Sequence, residues 1–307
     1  MAFAPTLICK GYTSEGRLAI GDAPYRRVLL DEYSATFERN AMRSEGVRDF
    51  AQSVTQVRRH SGAWLMDVPT ISASIGFDTT APLLLALCAA LRTGRNSAVK
   101  LEIRDDSAGI EWKFNECYMK DVAFGGDEHT VVKPSLDLLI PGDEINYEWT
   151  KRTLIRTGET GLGTGVGNER FVDMVPYWMW EIDIDGVRRN DLEKFDFKFS
   201  QTIKQKFECK GEDSPSRAVY LLFGLPEITF GATEIWASKG NAKYNEAVTQ
   251  MRDAAALASH TITIGTAATG RLLTMTGAYE TRATPALVAA SDFPTLNHSW
   301  AIAGELK

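Results

Sequence analysis

The sequence has few of the features that mark disulfide scaffolds, zinc sites and membrane-spanning proteins. Its four cysteines, Cys9, Cys88, Cys117 and Cys209, are widely scattered and form no C-x-x-C pair. We therefore expect buried free thiols, with disulfides within or between subunits as the alternative. The longest apolar run, 81–91, is far short of the roughly 20 residues that cross a bilayer. Since the N-terminus also lacks a signal-peptide pattern, we expect a soluble chain that is made in a cytoplasm and does not contact a membrane.

Motifs of catalysis, cofactor binding and metal binding are absent or incomplete. The one glycine-rich stretch, 156–168, contains neither of the glycine motifs that cradle phosphates. Segment 183–186 begins like a calcium loop but lacks the later acidic ligands, and its alternation of acid and isoleucine predicts a strand with one solvated face. Ser97 and Lys100 match the spacing of some acyl enzymes without the companion motifs. We therefore predict that the chain is not an enzyme and has no catalytic residues, cofactor or metal.

The charge balance excludes a further class of function. The formal net charge is −6, which argues against a protein whose main task is to grip phosphate groups. A hydrophobic content of 44% and a charged content of 24% are ordinary for a folded protein. The chain of 307 residues is long enough for one large domain or for two smaller ones.

An internal repeat is the most informative feature, with copies that start about 160 residues apart. Segments 64–75 and 221–232 each combine an apolar stretch, a proline and strict alternation of apolar and polar residues. This pattern is typical of a half-buried strand, and the prolines, Pro69 and Pro226, suit a strand start or a bulge. A helical segment follows in each copy, then an alternating strand and a hairpin turn.

The later parts of the two copies also correspond. The hairpins contain Gly109 and Gly270, and apolar strands follow in which Tyr118 aligns with Tyr279. Further strands, predicted over 135–142 and 298–304, close the copies. We infer a mainly β fold with some α structure, in which each copy is a β-sandwich or barrel with one helix. The predicted boundaries are residues 1–150 for the first domain, 151–175 for a glycine-rich linker or loop and 176–307 for the second domain.

A long alternating ribbon near the start of the second copy is the candidate assembly element. From Phe195 to Cys209 it would extend about 45–50 Å, beyond the usual strand length. Such a ribbon overshoots a compact sandwich, so its apolar face would need a neighbour; the alternative is two ordinary strands with a bend. The candidate assembly residues on that face are Phe195, Phe197, Phe199, Ile203 and Phe207.

A helix-bearing β-sandwich with a long hairpin resembles the tail-tube proteins of phages and related injection machines. The resemblance rests on the strand signatures at Pro69 and Pro226, the helices after them and the hairpins at Gly109 and Gly270; segment 112–135 is also similar to the closing strands of tube proteins. It implies that subunits join their sheets side by side into a ring, and that stacked rings form a tube whose lumen conducts DNA during ejection.

Stoichiometry and partners follow from that resemblance. Tube subunits of the family commonly assemble six to a ring, so a chain with two copies implies a homotrimeric ring with pseudo-sixfold symmetry. The expected partners are further copies of the chain, other tail proteins, and DNA that passes through the lumen without specific binding. The expected location is the virion tail, after assembly in the host cytoplasm. Since 81–91 is apolar nearly all round and 241–257 is amphipathic, we expect the first helix to be buried more completely.

Two other functions fit the same sequence features. Within the family, the chain would be a tail-end or baseplate tube adaptor rather than the repeated tube subunit. Outside it, the chain would be a tandem β-sandwich module that binds carbohydrate or protein through aromatic side chains such as Trp178 and Trp180.

Overall fold

The structure is a computed structural model of the chain. It describes residues 14–21, 26–38, 41–43, 64–66, 70–78, 81–92, 98–105, 110–128, 130–141, 147–151, 175–206, 220–235, 240–252, 259–267, 269–286 and 294–307. Strands predominate in these residues, and the two helices are short. The fold is therefore mainly β with some α structure, as predicted.

The described residues of the first half of the chain form nine strands and one helix. These are β1 (Ser14–Ile20), β2 (Arg26–Glu38), β3 (Ala41–Arg43), β4 (Trp64–Met66), β5 (Thr70–Asp78), α1 (Ala81–Arg92), β6 (Val99–Asp105), β7 (Ile110–Asp127), β8 (Ser135–Ile140) and β9 (Tyr147–Lys151).

The described residues of the second half form one 3₁₀ turn, seven strands and one helix. These are the turn Tyr177–Met179, β10 (Trp180–Ile184), β11 (Val187–Arg188), β12 (Leu192–Lys206), β13 (Tyr220–Ile235), α2 (Gly240–Arg252), β14 (His260–Thr266), β15 (Gly270–Ala286) and β16 (Thr295–Ile302).

Each half closes its strands into a cycle of antiparallel pairs. In the first half, β1, β2, β5, β8, β7 and β6 pair in that order, and β6 returns to β1. The second half has the same order of pairs. Strand β10 pairs with β11, whose continuation β12 pairs with β13; β13 then pairs with β16, β16 with β15, β15 with β14, and β14 returns to β10. We call these two cycles the first and second repeat. The position of the boundary between the predicted domains stays a prediction, since residues 152–174 lie outside the described residues.

The residue register repeats along with the strand order. Val99 lies opposite Cys117 in the β6–β7 pair, and His260 lies opposite Ala278 in the β14–β15 pair. Both ladders shift register immediately after these positions. A bulge inserts an extra residue into one strand and is a specific structural feature, so its recurrence at equivalent positions supports the predicted repeat.

The interior of each repeat is built from the inward-facing residues of its strands. Alternation directs successive side chains to opposite faces of a strand, and Leu18, Ile75 and Phe114 in the first repeat and Phe230 and Ile264 in the second are almost completely buried. Burial of such side chains is the main favourable term in folding, at about 25 cal/mol for each Å² of apolar surface.

The two helices differ in burial, as predicted. In α1, which contacts β1 and β15, Leu84, Leu87 and Cys88 are buried. In α2, which contacts β15, Val248 is exposed, and Tyr244 and Met251 are half-buried. In the described part of the chain, neither helix has the length and apolar character that a bilayer span requires.

Some predicted bounds differ from those observed. Helix α2 begins at Gly240, one residue before its expected start, and the last strand begins at Thr295 rather than at His298. Gly270 takes the positive φ of +68° that its hairpin turn requires. Residues 106–109 lie outside the described residues, but β6 and β7 on either side pair as the predicted hairpin.

Candidate assembly interface

One antiparallel strand pair, β7 with β12, joins the two repeats into a single 14-stranded sheet. The paired residues run from Asp121 opposite Ser200 to Asp127 opposite Lys194. Ser200 Oγ donates a hydrogen bond of 2.5 Å to Asp121 Oδ1 at one end of this contact. We call this contact the internal junction. A connection between repeats made by backbone pairing is directional and has a fixed register.

Aromatic rings cover the inward side of the internal junction. The ring of Phe124 on β7 stacks on Phe197 of β12, with ring centroids 4.7 Å apart. Trp180 lies 5.9 Å from Phe124 and 5.0 Å from Phe195. Tyr177 lies 6.0 Å from Phe195 and donates a hydrogen bond of 2.6 Å from its hydroxyl to the carbonyl oxygen of Leu192. Rings at these separations contribute beyond their buried area.

Glycines permit close backbone approach at the internal junction. Gly125 lies opposite Asp196 on β12, and Gly231 of β13 lies opposite the same residue from the other side. A Cβ atom at Gly125 would lie 2.6 Å from the carbonyl oxygen of Phe195, and one at Gly231 would lie 2.5 Å from Asp196 Oδ1. Neither position therefore accepts a side chain without movement of its neighbours.

The predicted assembly residues divide into two groups. Phe195, Phe197 and Phe199 are buried in the core of the chain, at 0%, 0% and 8% exposure. Ile203 is half-buried, and Phe207 lies outside the described residues. The sequence correctly assigns the first three to one apolar face, but the structure covers that face within the chain. Because Phe195 and Phe197 pack against aromatic rings of the same chain, the expectation that a separate subunit covers these rings is corrected.

Beyond the internal junction, β12 and β13 continue as a projecting hairpin. Past Ser200 and before Ile228, the described pairs join these two strands only to each other. The two strands leave the larger sheet at a register shift between Gln201 and Ile203. At this shift, Gln201 Nε2 donates a hydrogen bond of 2.8 Å to the carbonyl oxygen of Gly224. We call residues 201–206 and 220–227 the second arm.

The second arm carries exposed apolar side chains. Four large hydrophobic residues of the second arm are exposed, at 54%, 54%, 42% and 92%: Tyr220, Leu222, Phe223 and Leu225. The ring of Phe223 is 5.5 Å from that of Tyr118 on β7, which fixes the base of the arm against the first repeat. Clusters of exposed apolar side chains are uncommon on monomeric proteins and mark interaction sites.

A first arm occurs at the equivalent place in the first repeat. Ala41 lies opposite Met66 in the β3–β4 pair, as Ile203 lies opposite Phe223 in the second arm. Arg43 likewise lies opposite Trp64, as Gln205 lies opposite Leu221 two residues further along the second arm. We call β3 and β4 the first arm. The alignment of segments 64–75 and 221–232 is therefore correct at the level of single residues, although its role in a projecting hairpin was not predicted.

The acidic residues of β10 form ion pairs within the chain. Arg188 Nε donates to Asp183 Oδ1 at 2.7 Å, and the same guanidinium lies 2.9 Å from Glu181. Asp185, at φ 53° in the tight turn before Gly186, lies 2.7 Å from His260 Nδ1 and accepts a hydrogen bond of 2.8 Å from the Thr261 N–H. Partial burial opposes ionisation of Asp185, but these hydrogen bonds outweigh it and lower its pKa. These contacts hold the end of β10 and the turn that follows it. Segment 183–186 is therefore the end of a strand and a turn, as the sequence predicts, rather than a calcium loop.

A polar cluster inside the second repeat has no counterpart at the equivalent described positions of the first. His298 Nδ1 lies 2.5 Å from Glu280 Oε1, and its Nε2 lies 3.8 Å from Glu234 Oε2; all three side chains are less than a tenth exposed. In the first repeat, the registers place Leu136 at the position of His298, Met119 at that of Glu280 and Phe77 at that of Glu234. No sequence pattern signals this cluster, because a polar residue in a strand predicts a solvated face.

The described cysteines are unreactive, and no metal site is found where the structure can be described. Cys88 and Cys117 are free and buried, as expected; burial raises the pKa of Cys88 to about 12 and that of Cys117 further. Since the thiolate is the reactive form of cysteine, neither acts as a nucleophile near neutral pH. Cys9 and Cys209 lie outside the described residues. Among described side chains, no group of three metal-binding residues occurs.

The two tryptophans named for a binding module lie in different environments. Trp178 is 63% exposed. Trp180 is half-buried and packs in the aromatic cluster of the internal junction. The two rings therefore do not form a shared exposed platform.

Comparison with known proteins gives a weak structural likeness. No protein-family model matches the chain, and no curated protein matches it. Among solved structures, it is similar to a chain in the sixfold-symmetrised cryo-EM structure of the anti-feeding prophage baseplate. That match has a TM-score of 0.32 and 15% identity, and it covers 46% of this chain and 94% of that chain. The likeness is thus to a component of a phage-related baseplate and extends over less than half of this chain.

Proposed function

We propose that the chain is a structural subunit of a phage tail tube, in which rings of the protein stack and the lumen conducts DNA during ejection. The observation that carries the proposal is the internal junction. It already joins two equivalent repeats edge to edge in one sheet. Repetition of the same contact between chains extends the sheet, and closure into a ring leaves no strand edge exposed.

Ring stoichiometry follows from the two repeats in each chain. If six repeats close the ring, three chains form it, with true threefold and approximate sixfold symmetry. The departures between the repeats, such as the buried polar cluster near His298, make the sixfold symmetry approximate.

The two arms support the stacking of rings. Each repeat carries one arm, and the second arm exposes Leu222 and Leu225. Burial of these side chains against an adjacent ring would remove apolar surface from water, and it provides a contact between rings that is separate from the strand pairing within a ring.

The overall charge is compatible with passage of DNA. A net charge of −6 disfavours tight binding of phosphates, each of which would add a contact that slows a sliding duplex. We propose that the lumen carries few lysine and arginine side chains, and that DNA is a transient occupant rather than a bound ligand.

A tail-end or baseplate tube adaptor is the second candidate function. The same internal junction supports it, because an adaptor also closes a ring of repeats but does so once in each particle. A carbohydrate-binding module has weaker support, since Trp180 is half-buried against the core and leaves Trp178 as the exposed member of that pair.

Negative-stain microscopy of concentrated purified protein tests the proposal. We expect rings at intermediate concentration and tubes of stacked rings at higher concentration. Rings that never stack would favour the adaptor. Protein that stays monomeric at every concentration and binds a glycan would contradict both and support the binding module.

A further inference from the structure

We propose that β15 of one chain pairs antiparallel with β2 of the next chain, in the register of the internal junction. This inference rests on the proposed function, since it specifies how chains join within a ring. The partner is a second copy of the same chain. The contact is head to tail, with a different strand contributed by each side.

Strand β15 is the equivalent of β7. In the first repeat, Tyr118 lies opposite Leu139 of β8, and the ladder shifts register after Met119. In the second repeat, Tyr279 lies opposite Ala301 of β16, and the ladder shifts after Glu280. The repeated shift makes Arg282 the equivalent of Asp121, which is the first β7 residue of the internal junction.

Strand β2 is the equivalent of β12. The β12–β13 ladder shifts register between Leu192 and Lys194, and the β2–β5 ladder shifts between Leu30 and Glu32. Counted from these shifts, Glu38 of β2 is the equivalent of Ser200, which is the residue opposite Asp121 in the internal junction.

Both strands present an edge at these positions. Among the described residues, Thr36–Glu38 of β2 pair only with β5, and Thr284–Ala286 of β15 pair only with β16. The equivalent edges of β12 and β7, which face away from β13 and β8, form the internal junction. An edge of a strand presents backbone N–H and C=O groups that pair readily with another strand.

The transferred register brings opposite charges together. Glu38 falls opposite Arg282, where the internal junction has the hydrogen bond between Ser200 and Asp121. Opposite charges directly across a strand pair are favourable, and like charges are unfavourable. Arg282 is exposed, and its Nε donates a hydrogen bond of 3.0 Å to Thr284 Oγ1, which holds its side chain along β15.

The junction between chains differs from the internal junction in strength. Phe197 opposite Phe124 becomes Ala35 opposite Pro285, so the stacked aromatic pair is absent. Pro285 has no N–H and removes at most one hydrogen bond from the ladder. We therefore expect the contact between chains to be weaker than the internal junction and more sensitive to salt, since its charge pair is screened by ions.

Engineered cysteines test the register. Thr36 falls opposite Thr284, and residues directly opposite in an antiparallel pair have Cα atoms about 4.5–5.5 Å apart, within disulfide range. With copper phenanthroline as oxidant, the variant with both Thr36→Cys and Thr284→Cys should give covalent dimers and a final closed species. The two single variants control for the native thiols. A pair displaced by two residues, Thr36→Cys with Ala286→Cys, should cross-link at least tenfold less.

A charge exchange tests the same contact without cysteines. Arg282→Glu should raise the protein concentration for half-assembly by about five- to tenfold, because it places a second carboxylate opposite Glu38. Adding Glu38→Arg in the same chain should restore assembly. A merely structural effect of the first change would not be rescued in this way.

Microscopy of the same samples separates the two proposals. Rings or tubes with strong cross-linking of the matched pair support both. Rings or tubes in which the matched pair fails to cross-link, or cross-links no better than the displaced pair, overturn the register and leave the tube function standing. Matched cross-links in chains that form open filaments support the register and contradict ring closure.

Discussion

Replacement of Phe124 by alanine removes the ring through which β7 contacts the second repeat. Phe124 is 2% exposed, and its centroid lies 4.7 Å from that of Phe197 and 5.9 Å from that of Trp180. Truncation of a buried phenylalanine costs about 3–5 kcal/mol, which includes the cavity that remains. For a domain-sized cooperative transition, about 3 kcal/mol lowers the midpoint of thermal unfolding by roughly 6–12 °C.

Thermal unfolding followed by circular dichroism measures this change in unassembled protein. Leu225→Ala is the matched control, because Leu225 is 92% exposed and its truncation should change stability by less than about 0.5 kcal/mol. A midpoint that falls by less than about 2 °C for Phe124→Ala would contradict this expectation, since it would mean that the internal junction contributes little to the fold. A separate early transition would instead show that the repeats unfold independently.

Three further predictions address the arms, the polar cluster and the acidic turn. Leu225→Asp should leave thermal stability unchanged and block the stacking of rings seen by microscopy; normal tubes would count against the second arm as a stacking contact. His298→Leu should cost about 1–3 kcal/mol in urea unfolding, because it leaves the buried carboxyl group of Glu280 without its imidazole partner, and adding Glu280→Met should recover most of the loss, since both substitutions introduce the residues of the first repeat. Asp185→Asn should lower the thermal midpoint at pH 7. Because the folded pKa of Asp185 is lowered, its stabilisation is present above the unfolded pKa of about 3.9 and is lost as the pH falls through the folded value, so the two midpoints should converge as the pH falls below the unfolded pKa rather than stay parallel.

The repeat was predictable because it is a local pattern that occurs twice. Pro69 and Pro226 fix the alignment of β5 with β13, and Tyr118 and Tyr279 fix that of β7 with β15. The observed registers agree with both alignments. The period of two residues also assigns Phe197 and its neighbours to one face.

The internal junction was not predictable from such patterns. Periodicity indicates that Phe197 faces an apolar surface, but whether β7 of the same chain or another subunit supplies that surface depends on long-range pairing. The first arm was missed for a related reason, because three-residue strands such as Ala41–Arg43 are too short to show alternation. The glycines of the junction also carry no local signal, since a close backbone approach such as that at Gly125 depends on Phe195 of a strand far away in the sequence.

The most direct test of the central claim is a cryo-EM reconstruction of the assembled protein without imposed symmetry. We expect three chains in each ring, with true threefold and approximate sixfold symmetry. We also expect β15 of each chain to pair with β2 of the next chain, with Glu38 opposite Arg282. Six chains in a ring, or rings in which the β2 and β15 edges are not joined between chains, would contradict the central claim.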